Sequence, residues 1–304
     1  TGGSAAWQDW VKEWETVAAD YTKVSLTPGA DETQLNFAWY SKTESGKAAT
    51  PVVHFGTDKD HLTAFTGKAA QVDDSLTDGV AYDYNHVTVT GLEANTTYYY
   101  TVEKNGVQSE VQEYKTGSFD SVKMLYVGDP QIGASKGQPQ NGEALTAGSG
   151  AANTAARNDA FAWNRTLEIA TAQNPGVNFI ISAGDQVNKT AQAKEAEYAG
   201  YLSPAVLAGL PVATTIGNHD KSSVDYTGDT YRDVLGPRWY SFNRGEVHFV
   251  AMDNCLFSGQ DYTGGFTDEQ VAWLEKDLSF VPTSKMIVLY YHIPLRDTNY
   301  RNRQ

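Results

Sequence analysis

Apolar positions change their spacing twice along this chain. Between residues 5 and 20, Trp7, Trp10, Val11, Trp14 and Val17 recur at three- and four-residue intervals, which lines them along one stripe of an α-helix. An aromatic stripe of that kind predicts a helix packed onto a neighbouring domain. From residue 21 the period drops to two. TKVSLTPG, TQLNFAWYS, PVVHFGT, HVTVTGL and TTYYYTVEKNG are short, rich in β-branched and aromatic residues, and separated by turn formers, the grammar of half-buried strands. Regular short strands as far as residue 118 predict a β-sandwich. The aromatics Trp39, Tyr40, Tyr98, Tyr99 and Tyr100 fit cross-strand packing, with stacking on sugars the weaker alternative. His54, His61 and His86 lack ligand spacing and are expected at the surface or in packing.

A third pattern begins at 119. VKMLYVGD, VNFIISAGD, LPVATTIGNHD and KMIVLYYH are continuous apolar runs that end in polar groups, as buried strands do. Helices are predicted over 157–173, around 192–209 and over 267–279, the last opened by Thr267 as a cap. RWYSFNRGEVHFVAMD predicts a hairpin with Asn243, Arg244 and Gly245 in its turn. Residues 133–156, rich in Gly, Ala and polar residues, predict a long loop. Strands alternating with helices make a layered α/β domain. The chain thus divides into an amphipathic helix (1–20), a β-sandwich (21–118) and an α/β domain (119–304).

Its 304 residues suit two domains. The net charge of −14 argues against a nucleic-acid or anionic-membrane surface, since acidic groups repel phosphates. It also calls for cations wherever an anionic substrate is handled. No apolar run approaches the ~20 residues that cross a bilayer. Cys255 is the single cysteine, so no intrachain disulfide forms, and a buried structural thiol is expected there. Thr1-Gly2-Gly3-Ser4 shows no leader pattern and fits a terminus left after leader removal.

The chemistry gathers at strand ends. The four apolar runs close on Asp129 with Gln131, on Asp185, on Asn218-His219-Asp220 and on His292. Ligands of α/β sheets bind beyond the carboxyl ends of the strands, where the following loops converge. Carboxylates, amides and imidazoles together suit Mn, Fe or Zn. A carboxylate shared by two ions would hold them at the ~3.5–4 Å of two-metal hydrolysis. A single Gly-Asp is usually a turn, and a single His is usually a core residue. The ordered series, and Gly217-Asn218-His219-Asp220 above all, points to a site.

On the motifs GDPQIG, AGDQVN, GNHD and YYH, the chain resembles the calcineurin-like metallophosphoesterases, and among them the purple acid phosphatases, which carry a fibronectin type III-like domain in front. HVTVTGLEANTTYYYTV followed by YKTG resembles the closing strands of that domain. GPRWYSFNRGEVHFVAMDN resembles the segment between the third and fourth motifs. The resemblance implies two divalent ions and a small-molecule phosphate ester as substrate, attacked in line by a metal-bound hydroxide. Asp129 would bind the first ion with Gln131 near it, Asp185 would bridge both, and Asn218 and His292 would bind the second. His219 would stabilise or protonate the phosphoryl transition state, with Asp220 orienting it. A secreted or cell-surface location is implied as well.

The chain departs from the family pattern in three places. Gln131 stands where a His is common; ligation through its oxygen, contact with substrate or water, and capping of the loop are all open readings. Asn188 stands where purple enzymes have Tyr, which implies a divalent pair and no purple colour. A glycan on the sequon Asn188-Lys189-Thr190 would crowd the site, which favours a bacterial source or an unused sequon. The final Gly-His-X-His motif has no counterpart, so a longer natural protein is expected, with an unpaired sheet edge here. Arg157, Lys189, Arg232 and Arg296 are the candidate phosphate contacts. The competing reading is a non-catalytic binding protein on a degenerate phosphoesterase scaffold.

Overall fold

The computed structural model of the chain describes residues 4–20, 22–43, 50–72, 81–104, 106–135, 151–188, 195–221, 227–259 and 261–295. Helix α1 (Ala5–Ala19) starts at Ser4, whose hydroxyl accepts the Trp7 amide at 3.2 Å, a side-chain N-cap. Its Trp7 and Trp14 are buried. Trp7 sets its ring against Phe161 at 5.1 Å, and the Trp10 indole donates to the Arg157 carbonyl at 2.8 Å. The stripe therefore packs on helices of the second domain, α2 (Ala151–Gln173) and α3 (Glu195–Tyr201). Tyr40, Val72 and Tyr82 of the sandwich join the same apolar cluster, so α1 helps to weld the two domains.

The sandwich comprises β1 (Ser25–Pro28), β2 (Gln34–Lys42), β3 (Val52–Gly56), β4 (Thr63–Thr66), β5 (Lys68–Gln71), β6 (Tyr82–Thr90), β7 (Thr97–Lys104), β8 (Val107–Gln108) and β9 (Gln112–Lys115). One sheet has the order β1-β2-β6-β5; the other has β4-β3-β7-β8, with β9 also pairing β7. Alternate residues of both sheets meet in a single core: Leu35, Phe37 and Trp39 of β2 face Phe55 of β3 and Tyr98, Tyr100 and Val102 of β7. The Phe37 and Tyr100 rings lie 5.0 Å apart and those of Phe55 and Tyr98 4.8 Å apart. The expected packing role therefore stands for Trp39, Tyr98 and Tyr100, while Tyr40 packs in the cluster shared with the second domain. The Tyr98 hydroxyl accepts the Glu93 amide at 2.7 Å, the back-bonded tyrosine found at the corner of many sandwiches.

Among the described residues the second domain has two three-stranded sheets. Strands β10 (Met124–Val127), β11 (Phe179–Ser182) and β12 (Val212–Thr214) run parallel. Strands β13 (Tyr240–Arg244) and β14 (Val247–Ala251) form a hairpin, and after the small hairpin β15 (Cys255–Ser258) and β16 (Asp261–Gly264), β17 (Met286–Tyr290) pairs parallel to β14. Phe179, Ile181 and Ala213 of the first sheet pack on Phe242, Phe249, Ala251 and Tyr290 of the second. Ile180 and Val212 point the other way, into α2 and α3. Outside the second sheet lies α5 (Asp268–Leu278), where Asp277 accepts from Ser241 at 2.6 Å and lies 2.8 Å from His248 Nε2. Helix α4 (Asp229–Leu235) sits against β1 and β2.

The layered α/β expectation holds, with four differences, the first being that α2 begins at Ala151, inside the stretch expected to be a loop. The strand that leads to His292 belongs to the second sheet, because β17 registers on the hairpin strand β14. The helix expected over 192–209 breaks after Tyr201 and resumes as a 3-10 turn, Ala205–Ala208, because Pro204 offers no N–H and pushes Ser203 out of the helical region. The hairpin turn falls on Gly245-Glu246, since Arg244 already pairs with Val247, and Gly245 takes a φ of 54° there. Cys255 is buried, and burial raises its thiol pKa well above the usual value. Among the described residues, strand β17 pairs with β14 alone, and Met286 and Ile287 lie exposed along it. No helix among the described residues is long and apolar enough to cross a membrane.

Candidate metal centre

Left-handed backbone marks the site before any side chain does. Among the described non-glycine residues only Asn95, Asp129, Gln131 and Asp185 have positive φ, at 51°, 52°, 42° and 54°. Each such residue costs on the order of 1–3 kcal/mol, and such strain persists only where the surroundings over-determine it. Here the loops after β10 and β11 are zipped together. The Asp129 amide donates to Gly184 at 3.1 Å, Gln131 to Asp185 at 2.8 Å, Ile132 to Gln186 at 3.1 Å, and Asn188 back to Ile132 at 2.9 Å.

Asp220 lies beneath them, fully buried. Its Oδ1 accepts the amides of Gln186 (2.9 Å) and Val187 (3.3 Å), and its Oδ2 those of Asp185 (3.0 Å) and Gly217 (2.8 Å). Both oxygens thus accept backbone N–H groups, three from the loop after β11 and one from the turn at Gly217. The imidazole of His219 meets the Asn188 carbonyl, 3.3 Å from Nδ1. That nitrogen must carry the proton, because a carbonyl only accepts. The His219 amide donates to Asp185 Oδ1 at 2.8 Å.

Asp129, Asp185 and His292 come together, each offering a ligand atom within 4.8 Å of the others. His292 Nδ1 donates to the Ala183 carbonyl at 2.7 Å, and its Nε2 faces Asp185 Oδ2 at 3.3 Å and Asn218 Oδ1 at 3.2 Å. This arrangement, with one nitrogen tied to a carbonyl and the other turned to a cluster of oxygens, is that of a metal-ligating histidine. Burial alone would lower the His292 pKa, but the hydrogen bond and charge of Asp185, the Ala183 carbonyl and the charge of Asp129 raise it to about 9. Asp129 is raised by burial and by the Asp185 charge, against the pull of His292 and His219. The cluster has an excess of negative charge, and a proton on His292 occupies the position suited to a cation. The donor set therefore fits a divalent metal.

Two glycines keep this group tight. A Cβ on Gly217 would collide with Asp185 Oδ1, and one on Gly184, at φ 104°, would lie 2.5 Å from His292 Nδ1. Gln131 joins the loop through its backbone, and its side chain makes no hydrogen bond to a described residue. Of the expected phosphate contacts, Arg157 lies over the Trp7 ring at 5.4 Å, and Arg232 pairs with Asp229 and Asp233 on α4. Lys189, Thr190 and Arg296 fall outside the described residues.

The end of β14 supports the site in a way the motifs did not announce. Asn254 brackets the Ile293 backbone, accepting its amide at 2.9 Å and donating to its carbonyl, which holds the residue next to His292. Asp253 accepts from Lys221 at 2.8 Å and Arg238 at 3.2 Å, and Lys221 also donates to the Cys255 carbonyl at 2.8 Å. This buried knot ties the turn after Asp220 to the second sheet. Its available signal was that Asp253-Asn254 end an apolar run just as the other motifs do.

Facing sheets with Asp, Asp and His gathered at their strand ends have the build of a metal-binding phosphoesterase domain. Comparison with known families agrees: residues 122–299 match the calcineurin-like phosphoesterases and residues 21–116 the purple acid phosphatase N-terminal domain. The chain belongs to the calcineurin-like phosphoesterase family. Among solved structures it is similar to purple acid phosphatase PPD1 from yellow lupin (Lupinus luteus) seeds, with 15% identity and a TM-score of 0.58 over 88% of this chain and 50% of that one. PhoD is similar at 14% identity and a TM-score of 0.53, over 88% of this chain and 61% of that one. The chain thus spans half to three-fifths of the length of those proteins, and at such identities the likeness is one of fold. No curated protein sequence matches it.

Proposed function

We propose that the protein hydrolyses small-molecule phosphate esters with two divalent ions, of Mn, Fe or Zn. The observation that carries this reading is His292, with Nδ1–H committed to a carbonyl and Nε2 turned to Asp185 and Asn218. Asp129 would hold one ion with Gln131 beside it, Asn218 and His292 the other, and Asp185 both. Bound metal supplies Lewis-acid neutralisation of the phosphoryl oxygens and a water of lowered pKa. The chain's own residues do the rest. Asp185 divides its oxygens between the His219 amide and the His292 side. His219, with Nδ1–H pointed at Asn188, keeps Nε2 for the phosphoryl group, where a proton can be held for the leaving oxygen. Asp220 ties the loop after β11, with its left-handed Asp185, to the turn at Gly217.

The N-terminal sandwich is read in the same proposal as fibronectin type III-like, on its two-sheet order and the Tyr98 corner, and the pairing of the two domains supports a secreted or cell-surface location. The test is p-nitrophenyl phosphate hydrolysis by this chain with excess Mn²⁺, repeated with chelator, beside calorimetric metal titration. Chelator-sensitive turnover that His219→Ala abolishes is expected. Saturable metal binding without any turnover would favour the non-catalytic scaffold and overturn the enzymatic reading.

A further inference from the structure

A second concave site lies at the far end of the phosphoesterase domain, where the sandwich meets it. It is a cleft open to solvent between the end of β9, the linker into β10, and the β13–β14 turn. Phe179, the first residue of β11, and Pro211, just ahead of β12, line it. It therefore opens at the amino ends of the strands whose carboxyl ends carry the metal centre, a strand's length away, roughly 13 Å at 3.3 Å per residue for β11.

Two polar side chains in its wall are more than nine-tenths buried, and both are incompletely paired. Arg244 is 9% exposed and Tyr114 8% exposed. Arg244 donates through Nη1 alone, to the Gly29 carbonyl at 3.3 Å and the Asn243 carbonyl at 2.6 Å. No carboxylate of a described residue lies within salt-bridge distance of it, and Nε and Nη2 have no protein partner among those residues. Burial lowers its pKa, partly offset by Tyr114, Glu32 and Asp31. Buried charges are almost always paired, because desolvating an ion costs several kcal/mol. The Tyr114 hydroxyl likewise has no partner among the described residues. Glu32 completes the wall: one oxygen accepts the Gly245 amide and the other has no described partner. Lys115 also lines the cleft but is held by Glu113 at 2.9 Å.

The cleft thus offers one open guanidinium edge, one open carboxylate oxygen and a phenol, over the apolar floor of Phe179, Val122 and Pro211. A guanidinium edge matches a planar carboxylate through two parallel hydrogen bonds. The nearby Glu32 repels a dianion such as phosphate and attracts an ammonium. We infer that this interdomain cleft binds a small zwitterion, a free α-amino acid with an apolar side chain: carboxylate on Arg244 and Tyr114, ammonium on Glu32, side chain on the apolar floor. Such a ligand would bridge β1–β2 of the sandwich to β13–β14 of the second domain. The inference is independent of the phosphoesterase reading, since it involves none of the metal-centre residues.

The experiment is calorimetric titration of the full chain with L-leucine in metal-free buffer, with acetate, n-butylamine and inorganic phosphate run beside it. Saturable L-leucine binding is expected, with each half-ligand and phosphate at least about tenfold weaker. Tyr114→Phe and Glu32→Gln should each weaken L-leucine about tenfold with an unchanged circular-dichroism melt, as should Arg244→Lys, which keeps the charge but loses the planar fork. No L-leucine heat up to about 10 mM, a concentration that would already mean only millimolar-range affinity, overturns the inference. So does equal binding of acetate or phosphate, or an unchanged affinity in the three folded variants.

Discussion

The Asp220 carboxylate holds the backbone of Asp185: Oδ2 accepts the Asp185 amide at 3.0 Å, while the Asp185 side chain is turned to His292 at 3.3 Å. A second carboxylate, buried and remote from solvent, thereby sets the left-handed turn that aims the candidate bridging ligand. Removing its charge should disturb the metal group from beneath. In Asp220→Asn the new NH₂ faces two backbone donors whichever way the amide is placed. We expect a loss of about 2–4 kcal/mol in denaturant unfolding, from charged hydrogen bonds exchanged for unsatisfied buried donors, together with weakened metal binding. A residue that only oriented an imidazole would leave the unfolding midpoint unmoved.

His292 makes the metal-free protein pH-sensitive. Its folded pKa of about 9 lies above the ordinary value of 6.5, and the charged neighbours facing it are Asp185 and Asp129. A raised pKa means that the folded state holds the proton more tightly. This contribution to stability is full below about pH 6.5 and is lost as pH rises through about 9. With chelator present, the urea midpoint should fall from pH 6.5 to pH 9.5, and His292→Gln should flatten that fall. Metal affinity should rise over the same interval, because binding must displace this proton.

Gly217 is needed for space, with no special φ involved. A Cβ there overlaps Asp185 Oδ1 and approaches the Asp185 amide. Gly217→Ala should leave the circular-dichroism spectrum native and weaken metal binding by about tenfold or more, the usual consequence when support around ligands is disturbed. Unchanged Mn²⁺ affinity in calorimetry would show that the Asp185 carboxylate has room to move.

Trp14 joins the domains. It is 4% exposed, in the cluster that also holds Tyr40, Tyr82 and Tyr201, and its ring edge touches the position of Gly200. Trp14→Ala should cost about 3–5 kcal/mol, the range for emptying a buried tryptophan site. Because α1 contacts the phosphoesterase helices, the loss should appear in that domain's unfolding, read by fluorescence of the remaining tryptophans.

Much of this was legible in the sequence because it is local. Period-two alternation around Phe37, Val87 and Tyr100 marks strands wherever a sheet has one wet face. The stripe of Trp7, Trp10 and Trp14 marks a helix. Polar residues at the ends of apolar runs marked Asp129, Asp185, Asn218, His219 and His292, and the structure does place Asp129, Asp185 and His292 within ligand range of one another, with Asn218 on His292. Short elements with weak periodicity, α4 and the hairpin β15–β16, escaped for the same reason: a few residues carry too little pattern.

What the tertiary structure alone decided is which backbone group meets which side chain. His219 is steered by a carbonyl from Asn188 and His292 by one from Ala183. Every residue has a carbonyl, so no residue type announces it. Asp220 reads as a partner for the neighbouring histidine, yet it collects four amides from loops that are close only after β11 and β12 have paired. The assignment of β17 to the second sheet depends on its long-range register with β14, and the turn of Arg157 toward Trp7 depends on where α1 docks. The sequence by itself determined the elements and the residues able to hold a metal; the pairing of distant strands, whose contacts have no local signature, determined how those residues are aimed.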